Sequence, residues 1–159
     1  MITLKDKVVV SDPCYKLGLS GQLCLRGVKP GKWSCSTEKI DGRVSELCLR
    51  HTKHCFALID ESVSRNIGVD SGQCGVFDFD YYAANVNDDD FDDLNSWYRR
   101  VCNKTIEESC WGEIDGLGCV SESGWGDGCY ECLVGRNEAG EIVGIRLVYI
   151  EEMEEEDDE

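Results

Sequence analysis

Four aspartates of this sequence lie at the end of a predicted strand or in a glycine loop, where a carboxylate is well placed to do chemistry. They are Asp12, Asp70, Asp78 and Asp127. If separate turns gather Asp70, Asp78 and Asp127 into one concave mouth, the carboxylates could bind a hard divalent cation or share acid and base roles. The alternative is that each aspartate accepts hydrogen bonds from backbone N–H groups of its own turn and fixes that turn.

A second candidate is the segment Ser123–Tyr130, called here the glycine box, which holds three glycines within five positions around one carboxylate. Glycine is favoured where the backbone turns sharply or approaches another group closely. Trp125 stands between two of these glycines and has little neighbouring bulk to bury it, so we expect it to be partly exposed. Trp125 and Tyr130 are therefore predicted apolar anchors for a ligand, with ordinary core packing as the alternative.

Both histidines of the chain fall in one short segment with two cysteines, Cys48, His51, His54 and Cys55. Thiolates and imidazoles are zinc ligands, and four of them could close a tetrahedral site. However, the adjacent His54 and Cys55 would point to opposite faces of a strand, and the spacing matches no standard zinc finger. The alternative is a surface loop with two incidental histidines and two packed cysteines.

The charge of the chain restricts its partners. The formal net charge is -16 over 159 residues, and the last nine residues contain eight acids and no base. This balance argues against direct binding to nucleic-acid phosphates, which needs clustered Lys and Arg. It permits an acidic surface that engages a basic partner, or one that serves only solubility. We expect one β-rich domain over residues 1–150 and a disordered acidic tail over 151–159.

The sequence has eleven cysteines, no apolar signal segment at its start and no run of membrane-spanning length. These features favour a protein of a reducing cytoplasm with no membrane contact. In that compartment cysteine behaves as a small buried hydrophobe rather than as half of a disulfide.

Hydrophobic periodicity predicts a mainly β fold with one amphipathic helix. Leu94, Trp97, Tyr98 and Val101 recur at helical spacing and predict a helix over about 91–106. A loop is expected at 111–117. Short strands bounded by turn signals are expected at 7–11, 22–28, 32–37, 43–50, 55–59, 66–70, 73–79, 119–121, 129–134 and 141–150. This pattern indicates an antiparallel β sandwich or a partly open barrel.

Several motifs in this order resemble the bacterial and phage family known as domain of unknown function 4241. The resemblance covers most of residues 8–150, although Lys32 interrupts one motif and residues 51–64 have no counterpart. The motifs are Ser11-Asp12-Pro13, Pro30-Gly31-Lys32-Trp33, Gly42-Arg43-Val44, Val69-Asp70-Ser71-Gly72 with Asp78, the glycine box, and the hairpin from Asn137 to Tyr149. The family implies no activity, but it places the chain in a bacterial cell or a phage-infected host.

The sequence favours a small non-enzymatic protein that engages a protein partner or captures a small ligand. One form would be a phage or bacterial accessory protein that inhibits a host defence factor. Its predicted ligand-binding residues are Asp70, Asp78, Trp125, Asp127 and Tyr130. The alternative is a metal-dependent hydrolase whose aspartates hold a divalent cation that activates water.

Overall fold

A computed structural model describes residues 1–54, 58–106 and 109–151. Within these ranges the chain forms eleven strands and two helices. In chain order they are β1 (Ile2–Leu4), β2 (Lys7–Ser11), β3 (Leu23–Arg26), β4 (Gly31–Ile40), β5 (Arg43–His51), β6 (Glu61–Val69), β7 (Gln73–Asp78), α1 (Phe79–Asn85), α2 (Trp97–Ile106), β8 (Trp111–Ile114), β9 (Gly118–Glu122), β10 (Gly128–Arg136) and β11 (Ile142–Val148).

The strands form two antiparallel sheets that pack against one another. The six-stranded sheet has the order β1-β4-β5-β11-β10-β6, and the five-stranded sheet has the order β3-β2-β7-β9-β8. One apolar cluster joins them, with Leu47 and Leu147 from the first sheet against Val10 and Val76 from the second. The prediction of a mainly β, sandwich-type fold is confirmed.

Period-two alternation explains why the central strands of the six-stranded sheet form where they do. Leu47 and Leu49 of β5 lie directly opposite Leu147 and Ile145 of β11, and all four are fully buried. Burying one such side chain contributes roughly 1.5–3 kcal/mol. A register slip of one residue would turn all of them to the outside, so the hydrophobic pattern fixes the pairing.

Helices α1 and α2 cover the outer face of the five-stranded sheet. Phe77 of β7 packs against Tyr82 of α1 and Trp97 of α2, with ring centroids 5.2 and 5.4 Å away. The indole N–H of Trp97 donates to the carbonyl of Pro13 at 2.8 Å. This side of the sandwich is therefore closed by a second apolar cluster. None of the helices in the described ranges has the length and apolar character needed to cross a membrane.

The predicted helix begins six residues later than expected, at Trp97 rather than at residue 91. The acids before it form local turns instead: Asp90 accepts a hydrogen bond from the backbone N–H of Asp92, and Asp93 accepts one from that of Asn95. Such side chain to backbone bonds compete with the helical pattern. Helix α1 was not predicted, because its aromatic residues resembled a continuation of β7.

Strand boundaries differ from prediction mainly where the strand is polar or short. Strand β6 begins at Glu61 rather than at residue 66, and its first half is largely exposed at the sheet edge. Strand β8 occupies part of the predicted loop at 111–117, and β1 was not predicted. Of the strand predicted at 55–59, residues 55–57 lie outside the described residues, and 58–59 are not in a strand.

We predict that Gly75→Ala lowers the free energy of unfolding by about 3 kcal/mol, because overpacking against backbone cannot relax. A Cβ at Gly75 would stand 2.3 Å from the carbonyl oxygen of Cys119 and 2.7 Å from the ring of Phe77. The matched control is Gly128→Ala, whose nearest atom would be the Tyr130 hydroxyl at 3.5 Å. Urea denaturation of both variants measures the difference, and equal losses would contradict this packing.

Candidate functional site

Three connecting segments meet at one end of the sandwich, called here the glycine-box end. They are the segment 12–15 after β2, the β6–β7 turn at 70–72 and the β9–β10 loop at 123–127. The backbone N–H of Ser123 donates to the carbonyl of Gly72 at 3.0 Å, which joins two of them. Gly128 pairs with Val69, so the antiparallel register places Asp127 next to Asp70.

Asp12 is fully buried at this end and holds the turns together. Its Oδ2 accepts the backbone N–H groups of Asp70 and Ser71, each at 2.8 Å. Its Oδ1 accepts the Ser71 hydroxyl at 2.7 Å and the backbone N–H of Cys14 at 2.8 Å. A buried carboxylate is stable only when its oxygens are paired in this way. Asp12 thus fixes its own turn through Cys14 and also fixes the neighbouring β6–β7 turn through Asp70 and Ser71.

Asp70 and Asp127 lie above this network and face solvent. Asp70 accepts the hydroxyl of Tyr15 through its Oδ2. Desolvation, this hydrogen bond and the nearby charge of Asp127 all raise the pKa of Tyr15, so its hydroxyl stays protonated and keeps donating. The glycine-box end therefore presents two exposed carboxylates beside a tyrosine.

Asp78 does not join them, which corrects the expectation of a mouth shared by three aspartates. Asp78 ends β7, whereas Asp70 precedes the start of that strand. Six strand residues separate the two ends by about 17–20 Å. There Asp78 is buried, pairs with Val8 and accepts the backbone N–H of Lys5 at 3.1 Å. It fixes the opposite end of the sandwich.

The glycine box presents Trp125 to solvent on a braced loop. Trp125 is 65% exposed, which confirms the expected exposure. The Tyr130 hydroxyl contacts the carbonyls of Ser123 and Gly126 at 3.0 and 2.6 Å, and its ring packs edge-on against Tyr149. Tyr130 thus supports the loop from beneath rather than standing out as a second exposed anchor.

Glycine is required at two positions of this loop. Gly124 has φ +57° and Gly126 has φ +107°, a region that side chains disfavour. A Cβ at Gly124 would also stand 2.9 Å from Cγ1 of Ile150. The Arg43 guanidinium lies 4.8 Å from the centroid of the Trp125 ring and donates to the carbonyl of Gly124 at 3.3 Å. The indole is therefore held on one face by a cation–π contact.

Among the described residues the proposed zinc ligands form no metal site, although the ring centroids of His51 and His54 lie 5.7 Å apart. Cys48 and His51 lie three positions apart on β5 and so point to opposite faces of the sheet. The His51 Nε2 contacts the carbonyl of Pro30 at 3.0 Å, and its Nδ1 accepts the backbone N–H of Lys53 at 3.2 Å, so both nitrogens are used. Cys55 lies outside the described residues. Over 1–54, 58–106 and 109–151, no three His, Cys, Asp or Glu side chains are placed to hold a metal ion.

A groove on the outer face of the six-stranded sheet was missed by sequence reasoning. Its larger part, about 560 Å³, is lined by Glu38, Lys39, Ile40, Ser45, Glu46, Glu131, Leu133, Arg146, Val148, Ile150 and Glu151. A smaller part of about 300 Å³ shares Glu131, Val148 and Glu151 with it and reaches Arg65, Cys129, Tyr130 and Tyr149. We call the two parts the outer-sheet groove. The signal in the sequence that could have indicated this face was the polar residues at alternate positions of the strands, which point outward.

We predict that Asp12→Asn lowers the free energy of unfolding by about 3 kcal/mol, because an amide NH₂ would face buried donors. The control, Asp70→Asn, should cost under about 1 kcal/mol, since this carboxyl is exposed and among the described residues accepts a hydrogen bond from the Tyr15 hydroxyl alone. Urea denaturation compares the two variants. A stable Asp12→Asn variant would show that the buried carboxylate does not fix the turns.

Comparison with known protein families gives a match over most of the chain. The family described as "Protein of unknown function (DUF4241)" matches residues 46–147, which are 102 of the 159 residues. This range runs from within β5 to within β11 and includes the glycine box and Asp70. No curated protein and no solved structure matches the chain. Because the match spans well over half of its length, the chain belongs to this family of proteins of unknown function.

Proposed function

We propose that this chain is a non-enzymatic binding protein that docks onto a partner protein through the glycine-box end, with Trp125 as its apolar anchor. The observation that carries the proposal is the exposure of this indole, 65%, on a loop held by internal hydrogen bonds. Tryptophan is among the residues that contribute most to binding energy when buried in an interface.

The bracing of the loop supports binding by a preformed surface. The Ser123 hydroxyl donates to the carbonyl of Gly126 at 2.9 Å, and the backbone N–H of Gly126 donates to the carbonyl of Ser123 at 2.9 Å. A loop that is already ordered loses little conformational freedom when a partner binds. Trp125 is therefore presented at a low entropic cost of association.

A protein partner fits this surface better than a small molecule. Small-molecule sites are concave. Trp125 stands on a loop at the end of the sandwich and lines neither part of the outer-sheet groove. Asp70 and Asp127 lie beside it as exposed polar anchors, and such charges favour encounter with an oppositely charged surface.

The hydrolase alternative gains no support from the geometry. Asp12 already accepts four hydrogen bonds, and Asp78 lies at the other end of β7. Of the carboxylates expected to hold a cation, Asp70 and Asp127 remain as an adjacent exposed pair, and no third His, Cys, Asp or Glu of the described residues is placed to complete a metal site with them.

We predict that Trp125→Ala raises the Kd for the partner at least about 30-fold, the equivalent of a 2 kcal/mol anchor. The tagged chain serves as bait in a lysate of its bacterial or phage-infected host, and mass spectrometry identifies the captured protein. Calorimetry with that purified protein then gives the Kd of each variant.

The matched control is Phe91→Ala. Phe91 is 61% exposed and also carries an arginine over its ring, Arg99 at 5.0 Å from the centroid. It lies in the acidic loop before α2, so this variant should change the Kd less than about twofold. A partner that is retained equally by both variants would contradict the proposal.

A further inference from the structure

We infer that the partner presents a basic, extended segment that lies across the outer-sheet groove and passes beside Trp125. This inference rests on the proposed function and names the chemistry of the partner. It follows from three properties of the groove: its direction across the strands, the charges left unpaired along it and its continuity with the glycine-box end.

The groove crosses the strands rather than following them. Its lining comes from β4, β5, β11, β10 and β6, which are consecutive neighbours in the sheet. Four strand spacings of about 4.8 Å give a length of about 19 Å. An extended segment covers about 3.3 Å per residue, so about six residues span the groove.

Half-buried and buried apolar side chains lie along this path. Leu133, Val148 and Ile150 contribute one apolar contact region, and Ile40 contributes another at the β4 side. Alternate residues of an extended segment point to the same side, so one set of its side chains can contact these residues. The other set would meet the charged groups of the walls.

The arginines of the groove are already neutralised. Arg146 forms two hydrogen bonds with Glu46, through Nε at 2.8 Å and through Nη2. Arg65 lies 3.1 Å from a carboxylate oxygen of Glu131, which also accepts the Ser62 hydroxyl at 2.9 Å. Because a glutamate already balances the charge of each arginine, the groove offers little attraction to an acidic segment.

Carboxylates in and beside the groove remain unpaired by cations. Five of them form no ion pair with another residue of 1–54, 58–106 or 109–151: Glu38, Asp41, Asp70, Asp127 and Glu151.

Two cationic side chains in or next to the groove, Lys39 and Arg43, likewise form no salt bridge with another described residue. Unpaired carboxylates therefore outnumber unpaired cations here, and lysine and arginine side chains of a partner would complement this negative charge.

The groove opens toward Trp125. Ile150, which lines it, lies against Gly124 of the glycine box, and Arg43 at the start of β5 stacks on the indole. A segment in the groove would therefore pass beside the exposed indole where it crosses β5 and β11. The two features form one continuous docking surface.

The test uses two synthetic hexapeptides, Arg-Leu-Arg-Leu-Arg-Leu and Glu-Leu-Glu-Leu-Glu-Leu, titrated into the ¹⁵N-labelled full chain and followed by NMR. The basic peptide should shift the amide signals of Ile40, Ser45, Leu133 and Val148, and the acidic peptide should shift none of them. Glu38→Lys should weaken binding of the basic peptide about tenfold, since it replaces an attraction by a repulsion.

Glu138→Lys is the matched control, because it changes the net charge equally but lies in the exposed β10–β11 turn, away from the groove. It should weaken binding less than about twofold. Equal weakening by both variants, absence of shifts, or largest shifts in the acidic segment 88–93 would overturn the inference.

Other occupants give distinct results. If a chain that ends at Glu151 shows shifted groove signals without peptide, its own C-terminal residues fill the groove. If the groove signals move with protein concentration, a second copy fills it. Either result overturns the inference. Failure of the peptides with intact Trp125-dependent capture removes only the groove proposal, whereas retention of the partner by Trp125→Ala removes the proposed function.

Discussion

The arrangement of the glycine-box end depends on one buried carboxylate. Asp12 directly follows β2 of the five-stranded sheet. It accepts hydrogen bonds from the β6–β7 turn, which connects the six-stranded sheet to the five-stranded sheet. Four donors satisfy its oxygens, so the cost of burying a charge is offset locally. This contact fixes the turn at Asp70–Gly72. The Ser123 bond to Gly72 and the pairing of Gly128 with Val69 then position the glycine box.

The two outer faces of the sandwich differ in how much of each is covered. Helices α1 and α2 cover the five-stranded sheet through Phe77, Tyr82 and Trp97. On the six-stranded sheet, residues 58–59 cover the region of Gly135 and Gly144, where an added Cβ would meet Leu58 and Ile59 at 2.1 and 2.6 Å. The outer-sheet groove lies toward the other end of these strands, next to Trp125. Packing thus leaves open the part of the sheet that adjoins the braced indole.

Much of the sandwich was predictable because its strands alternate strongly between apolar and polar residues. Leu47 and Leu49 show that pattern, and the structure pairs them as the pattern implies. The polar start of β6 and the helix α1 were not predictable, since neither has a periodicity that separates it from its surroundings. Tertiary contacts decide both: pairing with β10 in the first case and packing of Tyr82 in the second.

At the candidate site, residue type alone could not distinguish a ligand-binding carboxylate from one that fixes a turn. All four candidate carboxylates stand at strand ends or in turns, but only strand direction shows that Asp78 lies at the opposite end from Asp12, Asp70 and Asp127. The exposure of Trp125 was predictable from its glycine neighbours. The outer-sheet groove was not, because it is formed by residues from strands that are far apart in sequence and adjacent only in the sheet.

Hydrogen–deuterium exchange of the full chain, alone and saturated with its captured partner, reports which face is covered. The docking surface described above requires added protection in residues 123–128 and in the groove-lining strands β4, β5, β10 and β11, with α1 and α2 unchanged. Protection confined to α1, α2 and the acidic loop 88–93 would show that the partner binds the helical face and not the glycine-box end.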